Sequence, residues 1–232
     1  LGLVGSEMCI RDRNLTELVF ILDRSGSMGG LESDTIGGFN SMLSKQRTIA
    51  GECRVTTLLF DHRIETLHNH LDIREVNDLT SRDYWVRGST ALLDAIGLAI
   101  DRMIVTQRHT AAAYRAQHVL FVIITDGYEN ASRRYSLHQI KQMITYERER
   151  YHWEFVFLGA NIDAEQTAGD FGISPRCATD FHADGQGIKA SFEAVACAAT
   201  AVRGGADLED LNAPDFLGGV RDDYRSRRRM KR

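Results

Sequence analysis

The sequence predicts a doubly wound α/β fold, in which helices cover both faces of a mostly parallel sheet that has one antiparallel edge strand. Three observations predict this class. Short, continuously apolar segments, typical of strands buried on both faces, alternate along the chain with amphipathic segments of helical period. The predicted strands Leu18–Leu22 and Val119–Thr125 are each followed by an aspartate. The length of 232 residues suits one such domain and is short for two.

The first half of the chain predicts three strands and two helices. A buried strand ends in Asp23, a helix follows a capping residue at Ser33, and a second strand precedes an antiparallel edge strand. A second helix opens at Gly88-Ser-Thr90. The predicted strands are Leu18–Leu22, Val55–Phe60 and Arg63–His68, and the apolar helix stripes are Ile36, Phe39, Leu43 and Leu92, Ile96, Ala99, Met103.

The second half continues the alternation of strand and helix. A strand predicted to be fully buried ends in Asp126, and Ser136 and Gln139 form the capping box of the next helix. Gly204 ends the last helix. The predicted strands are Val119–Thr125, Phe155–Leu158 and Cys177–Phe181, a short helix is Ala164–Phe171, and the inward residues of the two longer helices are Leu137, Ile140, Ile144 and Ile188, Phe192, Val195, Ala199.

The composition describes a folded domain without a general affinity for nucleic acid or membranes. Hydrophobic residues make up 43% and charged residues 26%, and the net charge is −4 with a pI near 6.1. No apolar run reaches the roughly 18 to 20 residues of a membrane helix, and the first residues lack the pattern of a signal peptide. We therefore expect a cytoplasmic protein in which Cys53, Cys177 and Cys197 are reduced, buried thiols.

The two ends of the chain differ from its centre. Residues 3–13 resemble the translation of a sequencing adapter, so we expect residues 1–13 to be a non-native addition from an environmental assembly. The domain itself is placed at 14–205, and the extension 206–232 is basic and expected to be flexible. Its end, Arg225–Arg232, could touch nucleic acid, but a terminal charge run is more often solvated chain.

Five oxygen-bearing side chains are predicted to meet at the carboxyl edge of the sheet. The segment Asp23-Arg-Ser-Gly-Ser27 places a carboxylate and two hydroxyls at alternate positions, and Gly26 lets the backbone turn. In doubly wound sheets, ligands lie beyond the carboxyl ends of the strands, where the strand order reverses. Hard oxygen ligands without a soft partner suit Mg²⁺, with Mn²⁺ as the natural substitute. The candidate metal ligands are Asp23, Ser25, Ser27, Thr90 and Asp126.

The order of these residues, D-x-S-x-S, then Gly-Ser-Thr90, then Thr125-Asp126-Gly127, resembles the metal-ion-dependent adhesion site of von Willebrand factor A domains. The resemblance extends from Leu15 to about Gly205 and lacks no element of the motif. It implies that the two serines bind the metal directly, the first aspartate through water, and the threonine and second aspartate either way. It also implies that an acidic side chain of a partner protein completes the metal's shell, so that the chain is a protein-binding module and not an enzyme.

The alternative interpretation is that the chain is an enzyme. Ser25-Gly-Ser-Met-Gly29 partly resembles the nucleophile elbow of α/β-hydrolases, with Ser27 as the nucleophile of a serine hydrolase. Asp163 and His182 follow in the right order for a triad. Asp23 beside the elbow would then have no role, whereas the metal site uses it.

Other polar residues support weaker hypotheses. His68-Asn-His70 puts two imidazoles on one face of an extended segment, but no third zinc ligand is near in sequence, so an exposed polar edge is expected. Glu129, Asn130, Asn161 and Asp163 could line the crevice of the metal site. Their more frequent role in such positions is capping and turn formation.

Overall fold

A single mixed sheet runs through the centre of the molecule. The computed structural model describes residues 14–210 and 212–230, apart from the Met230 side chain, so the expected addition 1–13 lies outside the described residues. The strands in this part of the chain are β1 (Thr16–Asp23), β2 (Cys53–Phe60), β3 (Ile64–Asp72), β4 (His118–Thr125), β5 (Glu154–Gly159) and β6 (Ala178–Asp180). Their order across the sheet is β3-β2-β1-β4-β5-β6.

The pairing of the strands confirms the predicted fold class. The edge pair β2 and β3 is antiparallel, and all the other neighbouring strands are parallel. The strand order reverses between β1 and β4, which is where such sheets bind ligands. Leu22 pairs with Ile124, so the carboxyl ends of β1 and β4 lie side by side.

Helices cover both faces of the sheet. They are α1 (Glu32–Arg47), α2 (Leu92–His109), α3 (Leu137–Tyr151), α4 (Ala164–Phe171), α5 (Gly185–Arg203) and α6 (Gly218–Met230). On one face α1 packs against α5, and on the other α3 packs against both α2 and α4, as right-handed crossovers require. Across the described helices, none has the length and apolar character needed to span a bilayer.

The core explains why the apolar pattern predicts the strands well. Every residue of β1 is buried, because helices cover both faces of this central strand. Phe39 of α1 meets Phe20 of β1 edge to face at 5.2 Å between ring centroids and Phe192 of α5 at 6.3 Å. One aromatic cluster therefore joins the sheet to α1 and α5, which lie on the same face of it.

Local sequence signals predict the first residue of some helices correctly and of others incorrectly. The capping box of Ser136 and Gln139 is present, as predicted. In contrast, α1 begins at Glu32, ahead of the predicted cap Ser33. Leu137 was expected to point inward but is 42% exposed, because the buried stripe of α3 begins one turn later, at Ile140.

The polar edge and the cysteines also differ from expectation. His68 is 5% exposed rather than lying on an exposed edge, and its Nδ1 is 3.0 Å from the Thr57 hydroxyl of the neighbouring strand. Cys53 and Cys177 are buried and free, as expected, whereas Cys197 is free but exposed on α5. A polar side chain can be buried here because the sheet itself supplies its hydrogen-bond partner.

The extension 206–232 contains a packed helix in place of the flexible tail expected from its charge. Leu217 and Val220, at the start of α6, are 0% and 1% exposed and pack where α6 meets α5 and β6. Arg221 donates to three backbone carbonyls near β6, and Arg227 pairs with Asp184 at the start of α5. Two buried apolar side chains and paired arginines thus hold a segment whose composition alone suggested a solvated chain.

Candidate metal site

Asp23 is held at the end of β1 by contacts from both sides. Its side chain is 1% exposed. Oδ1 accepts a hydrogen bond from the backbone N–H of Ser25 at 2.6 Å, and Oδ2 accepts one from the Thr125 hydroxyl at 2.6 Å. The first bond closes the turn after β1, and the second joins the ends of β1 and β4. The carboxylate is therefore positioned at the reversal point of the sheet.

The two serines stand beside this carboxylate, at the mouth of the site. Their hydroxyl oxygens are 3.0 Å apart, Ser25 being buried and Ser27 exposed. The backbone N–H of Gly26, between them, donates to the Gly88 carbonyl at 3.1 Å. This bond draws the loop that carries Thr90 against the turn after β1. The site opens to solvent at Ser27.

Thr90 and Ser27 approach each other across Gly127. A methyl group built on Gly127 would lie 3.3 Å from Ser27 Oγ and 3.7 Å from Thr90 Oγ1. Thr90 is itself 3% exposed, and Asn130 Oδ1 accepts its backbone N–H at 2.9 Å. Helix α2 begins at Leu92, so Thr90 lies two residues ahead of the helix rather than at its first position. The absence of a side chain at Gly127 leaves room between the two hydroxyls.

Asp126 adds the second carboxylate and brings negative charge close to the first. It is 2% exposed, and Asn161 Nδ2 donates to its Oδ1. Burial raises the pKa of Asp126 to about 6, with the Asp23 charge acting in the same direction and the Asn161 hydrogen bond opposing it. Burial also raises the pKa of Asp23, against hydrogen bonds from Thr125 and Ser25. A cation between the two carboxylates would favour the charged form of both.

A buried ion-pair network supports the site from behind. Arg24, which is fully buried, donates to Asp61 Oδ2 at 3.2 Å and to Glu65 at 2.6 Å. Arg87 Nε donates to the same Asp61 oxygen at 2.7 Å. Burial would raise the pKa of Asp61, but hydrogen bonds from Arg87 and Arg63 and the two arginine charges outweigh it and hold that pKa below its ordinary value. The network ties the β2–β3 turn to the loop that carries Thr90.

The four residues considered for the rim divide into two pairs. Asn161 and Asn130 each contact one of the five candidate ligands, as described above. Glu129 instead accepts the backbone N–H of Leu93 at 2.8 Å, at the start of α2. Asp163 caps α4 through a backbone N–H of its first turn at 2.9 Å. The prediction of capping is confirmed for the second pair.

The residues of the hydrolase alternative do not come together. The His182 ring lies tilted against the Tyr224 ring, and its Nε2 is 3.1 Å from the Tyr224 carbonyl oxygen. Asp163 caps a helix, and the Ser27 hydroxyl pairs with that of Ser25.

The zinc hypothesis at the histidines of β3 finds no support either. The described residues contain no cluster of three or more His, Cys, Asp or Glu placed to hold a metal.

Sequence reasoning missed three side chains that position Asp23. Thr125 bonds its carboxylate, and the position of Thr125 directly before Asp126 was a usable signal. The Tyr84 hydroxyl donates to the Asp23 backbone carbonyl from 61 residues away. Arg24 supports the turn from the buried side. Nothing local to Tyr84 or Arg24 in the sequence indicates these contacts.

Comparison with known proteins places the fold. The chain is similar to the mussel byssus proximal thread matrix protein 1 with a zinc-occupied MIDAS motif, with a TM-score of 0.56 and 14% identity over 81% of this chain and 46% of that one. It is similar to the vWF domain of the type V pili tip protein Mfa5 from Porphyromonas gingivalis, with a TM-score of 0.56 and 11% identity over 81% and 95% of the two chains.

A third similar structure is the pilus adhesin SpaC from Lactobacillus rhamnosus GG, with a TM-score of 0.61 and 10% identity over 82% of this chain and 31% of that one. Comparisons with protein-family models and with curated proteins gave no match. The chain spans less than half the length of the mussel protein. Identities this low bear on the fold alone, and on that ground the chain has the von Willebrand factor A fold.

Proposed function

We propose that this chain is a divalent-metal-dependent protein-binding module in which Asp23, Ser25, Ser27, Thr90 and Asp126 hold Mg²⁺, or Mn²⁺ in its place. The observation that carries the proposal is the meeting of these oxygen-bearing side chains at the reversal point of the sheet, around the open space at Gly127. The donor set fits the ion, because carboxylates and hydroxyls are hard ligands and include no thiolate or imidazole.

The same geometry supports binding of an acidic partner. A bound divalent cation would supply an electrophilic centre, and its two positive charges would face only two carboxylates. The site opens to solvent at Ser27, so an anionic side chain from outside can approach it there. A partner protein presenting Asp or Glu is therefore the complementary ligand, and the similarity to pilus proteins and to a chain with a zinc-occupied MIDAS motif supports this class of function.

Calorimetric titration with Mg²⁺ and Mn²⁺ tests the metal site. The wild type should bind at millimolar concentration or below, and at free metal about ten times the dissociation constant the fold should gain about 1.4 kcal/mol. Asp23→Asn should abolish binding, because the carboxylate charge is lost while the side chain keeps its size. Ser27→Ala should weaken it mildly, because water can replace a neutral ligand.

The matched control is Asp170→Asn, which removes an exposed carboxylate from α4 and should bind metal as the wild type does. Circular dichroism checks that each variant is folded. Absence of Mg²⁺ and Mn²⁺ binding to a folded wild type would refute the site.

Selection from a random peptide library in the presence of Mg²⁺ tests the partner chemistry. Peptides containing Asp or Glu should be enriched on the wild type, and chelator or Asp23→Asn should release them, because the cation bridges the two partners. Asp170→Asn should retain them. Peptides held equally well with chelator would show that binding does not pass through the metal.

A further inference from the structure

A cavity separate from the candidate metal site lies at the opposite end of the sheet from Asp23. It has a volume of about 160 Å³ and is bounded by the last turns of α2 and α3 and by the starts of β4 and β5. Cavities of roughly 150 Å³ already accept a small ring such as benzene. The side chains that matter for its chemistry are Ile104, Arg108, Arg115, Glu147 and Trp153.

Glu147 faces this cavity with an unpaired carboxylate. Glu147 is 4% exposed. Within the described part of the chain, its carboxylate oxygens form neither a hydrogen bond nor an ion pair. Burial raises its pKa, against the charge of Arg108. The carboxylate oxygens line the cavity, so a ligand that supplies a hydrogen-bond donor at this point gains a favourable contact.

Positive charge lines the other wall of the cavity. Arg108, near the end of α2, is close enough to act on the charge of Glu147 but does not form an ion pair with it. Arg115 is held by a hydrogen bond from its Nε to the Thr110 carbonyl at 2.9 Å, while its side chain lines the cavity. The gap between the acid and the arginines is the space in which a ligand would lie.

Apolar side chains form part of the remaining wall. Trp153 is 6% exposed and stacks on Phe121 of β4 at 5.5 Å between ring centroids. Ile104 of α2 lines the same cavity. The cavity therefore combines one anion, cations across a gap, and an apolar surface.

We propose that this cavity binds a free α-amino acid with a small apolar side chain. Its ammonium pairs with Glu147, its carboxylate with Arg108, and its side chain packs against Ile104 and Trp153. A zwitterion satisfies both walls, whereas a simple amine would face the arginines and a simple carboxylate would face Glu147. This site shares no residue with the metal site, so binding should be unchanged in chelator.

Titration with L-leucine and L-valine, followed by calorimetry and by NMR of the protein, tests the proposal. Two analogues of leucine separate the charges: 3-methylbutylamine lacks the carboxylate and 4-methylpentanoate lacks the amine. We expect at least one of the amino acids to bind at millimolar concentration and both analogues to bind at least about tenfold more weakly, the loss of one charged hydrogen bond.

Variants assign the binding to the cavity. Glu147→Gln should weaken amino-acid binding at least about tenfold, and Arg108→Gln should weaken it as well. Glu149→Gln, an exposed carboxylate on the same helix, is the control and should bind as the wild type does. The proposal is overturned if neither amino acid binds, if the amine binds as tightly as leucine, or if Glu147→Gln leaves the affinity unchanged.

Discussion

Arg24 occupies the variable second position of D-x-S-x-S, and its side chain is fully buried. Alternate residues of an extended segment point in opposite directions, so the spacing that turns Asp23 and Ser25 toward the metal site turns Arg24 away from it. There it meets Asp61 and Glu65. The metal motif and the ion-pair network are therefore two sides of the same short segment, and each constrains the position of the other.

Replacing Arg24 should destabilise the fold strongly. Arg24→Ala removes one of the two arginine charges that face the buried Asp61 carboxylate, and breaking a buried ion pair costs about 3 kcal/mol or more. Urea denaturation measures the change in the free energy of unfolding. Arg63→Ala, an exposed arginine on the adjacent turn, should change it by less than about 0.5 kcal/mol. Equal effects of the two substitutions would contradict a structural role for the network.

At the scale of elements, α1 carries two adjacent glycines with opposite surroundings. A methyl group on Gly37 would meet nothing within 4 Å, whereas one on Gly38 would overlap the Phe192 ring of α5. Gly38 therefore lets α1 and α5 approach closely, and Gly37 only adds flexibility to the helix. The sequence Gly-Gly does not distinguish the two roles.

Alanine substitutions at Gly37 and Gly38 should change the free energy of unfolding in opposite directions. Gly37→Ala should stabilise the protein by about 1 kcal/mol, because alanine has the higher helix propensity. Gly38→Ala should destabilise it by about 1–3 kcal/mol, because Phe192 must leave its packed position. Thermal unfolding monitored by circular dichroism compares both variants with the wild type. A stabilised Gly38→Ala protein would mean that α1 and α5 pack less closely than described.

The start of β5 carries an acid whose charge opposes folding. Burial raises the pKa of Glu154 to about 7 from the ordinary 4.5, and the charges of Asp207 and Glu209 add to the rise. The Leu208 backbone N–H, which donates to Glu154 Oε1 at 3.3 Å, opposes it. The folded state therefore retains a proton that the unfolded chain releases between about pH 4.5 and pH 7.

This residue should make stability fall as the pH rises through that window. A carboxyl group whose pKa is raised on folding contributes stability that is complete below the pKa of the unfolded chain. This stability is lost as the pH rises through the pKa of the folded protein, here on the order of 3 kcal/mol. Glu154→Gln should remove this contribution to the pH dependence. Urea denaturation at about pH 5 and about pH 8 measures it. The exposed Glu193→Gln control should keep the wild-type slope.

At the scale of the whole molecule, the two ends of the chain should behave differently. The segment 206–232 adds a helix that packs on α5 and β6 through Leu217 and Val220. Arg221 also donates to three backbone carbonyls at and just before β6. This end is part of the folded unit, although it lies beyond the extent of the predicted domain.

Deleting each end in turn tests this difference. Removing residues 217–232 takes away the buried side chains of Leu217 and Val220, whose burial is worth about 1.5–3 kcal/mol each, so the free energy of unfolding should fall by about 3 kcal/mol or more. Removing residues 1–13 should leave the melting temperature unchanged, because the adapter-like sequence predicts a segment that was never selected to pack. Differential scanning calorimetry measures both. A clear loss on removing 1–13 would show that this segment is structural.

The sequence by itself determined the fold class, the strands and the membership of the candidate site. A strand that is buried on both faces needs a continuous apolar run. A turn that brings carboxylate and hydroxyl groups together needs those residues at alternate positions. Each of these features is therefore visible in the local sequence. Asp23 directly follows such a run, and Asp126 follows one after a single threonine, which is how both were identified. The side-by-side placement of their strand ends agrees with the reversal point that the fold class requires.

Only the tertiary structure decided how the site is supported and what surrounds it. The approach of Ser27 to Thr90 around Gly127, the burial of Arg24 and the bond from Tyr84 to Asp23 all join segments far apart in the chain. The packed α6 and the cavity at the far end of the sheet likewise depend on which surfaces meet. Such contacts are decided by complementary shape and by hydrogen-bond satisfaction across the core, for which local residue patterns carry no signal.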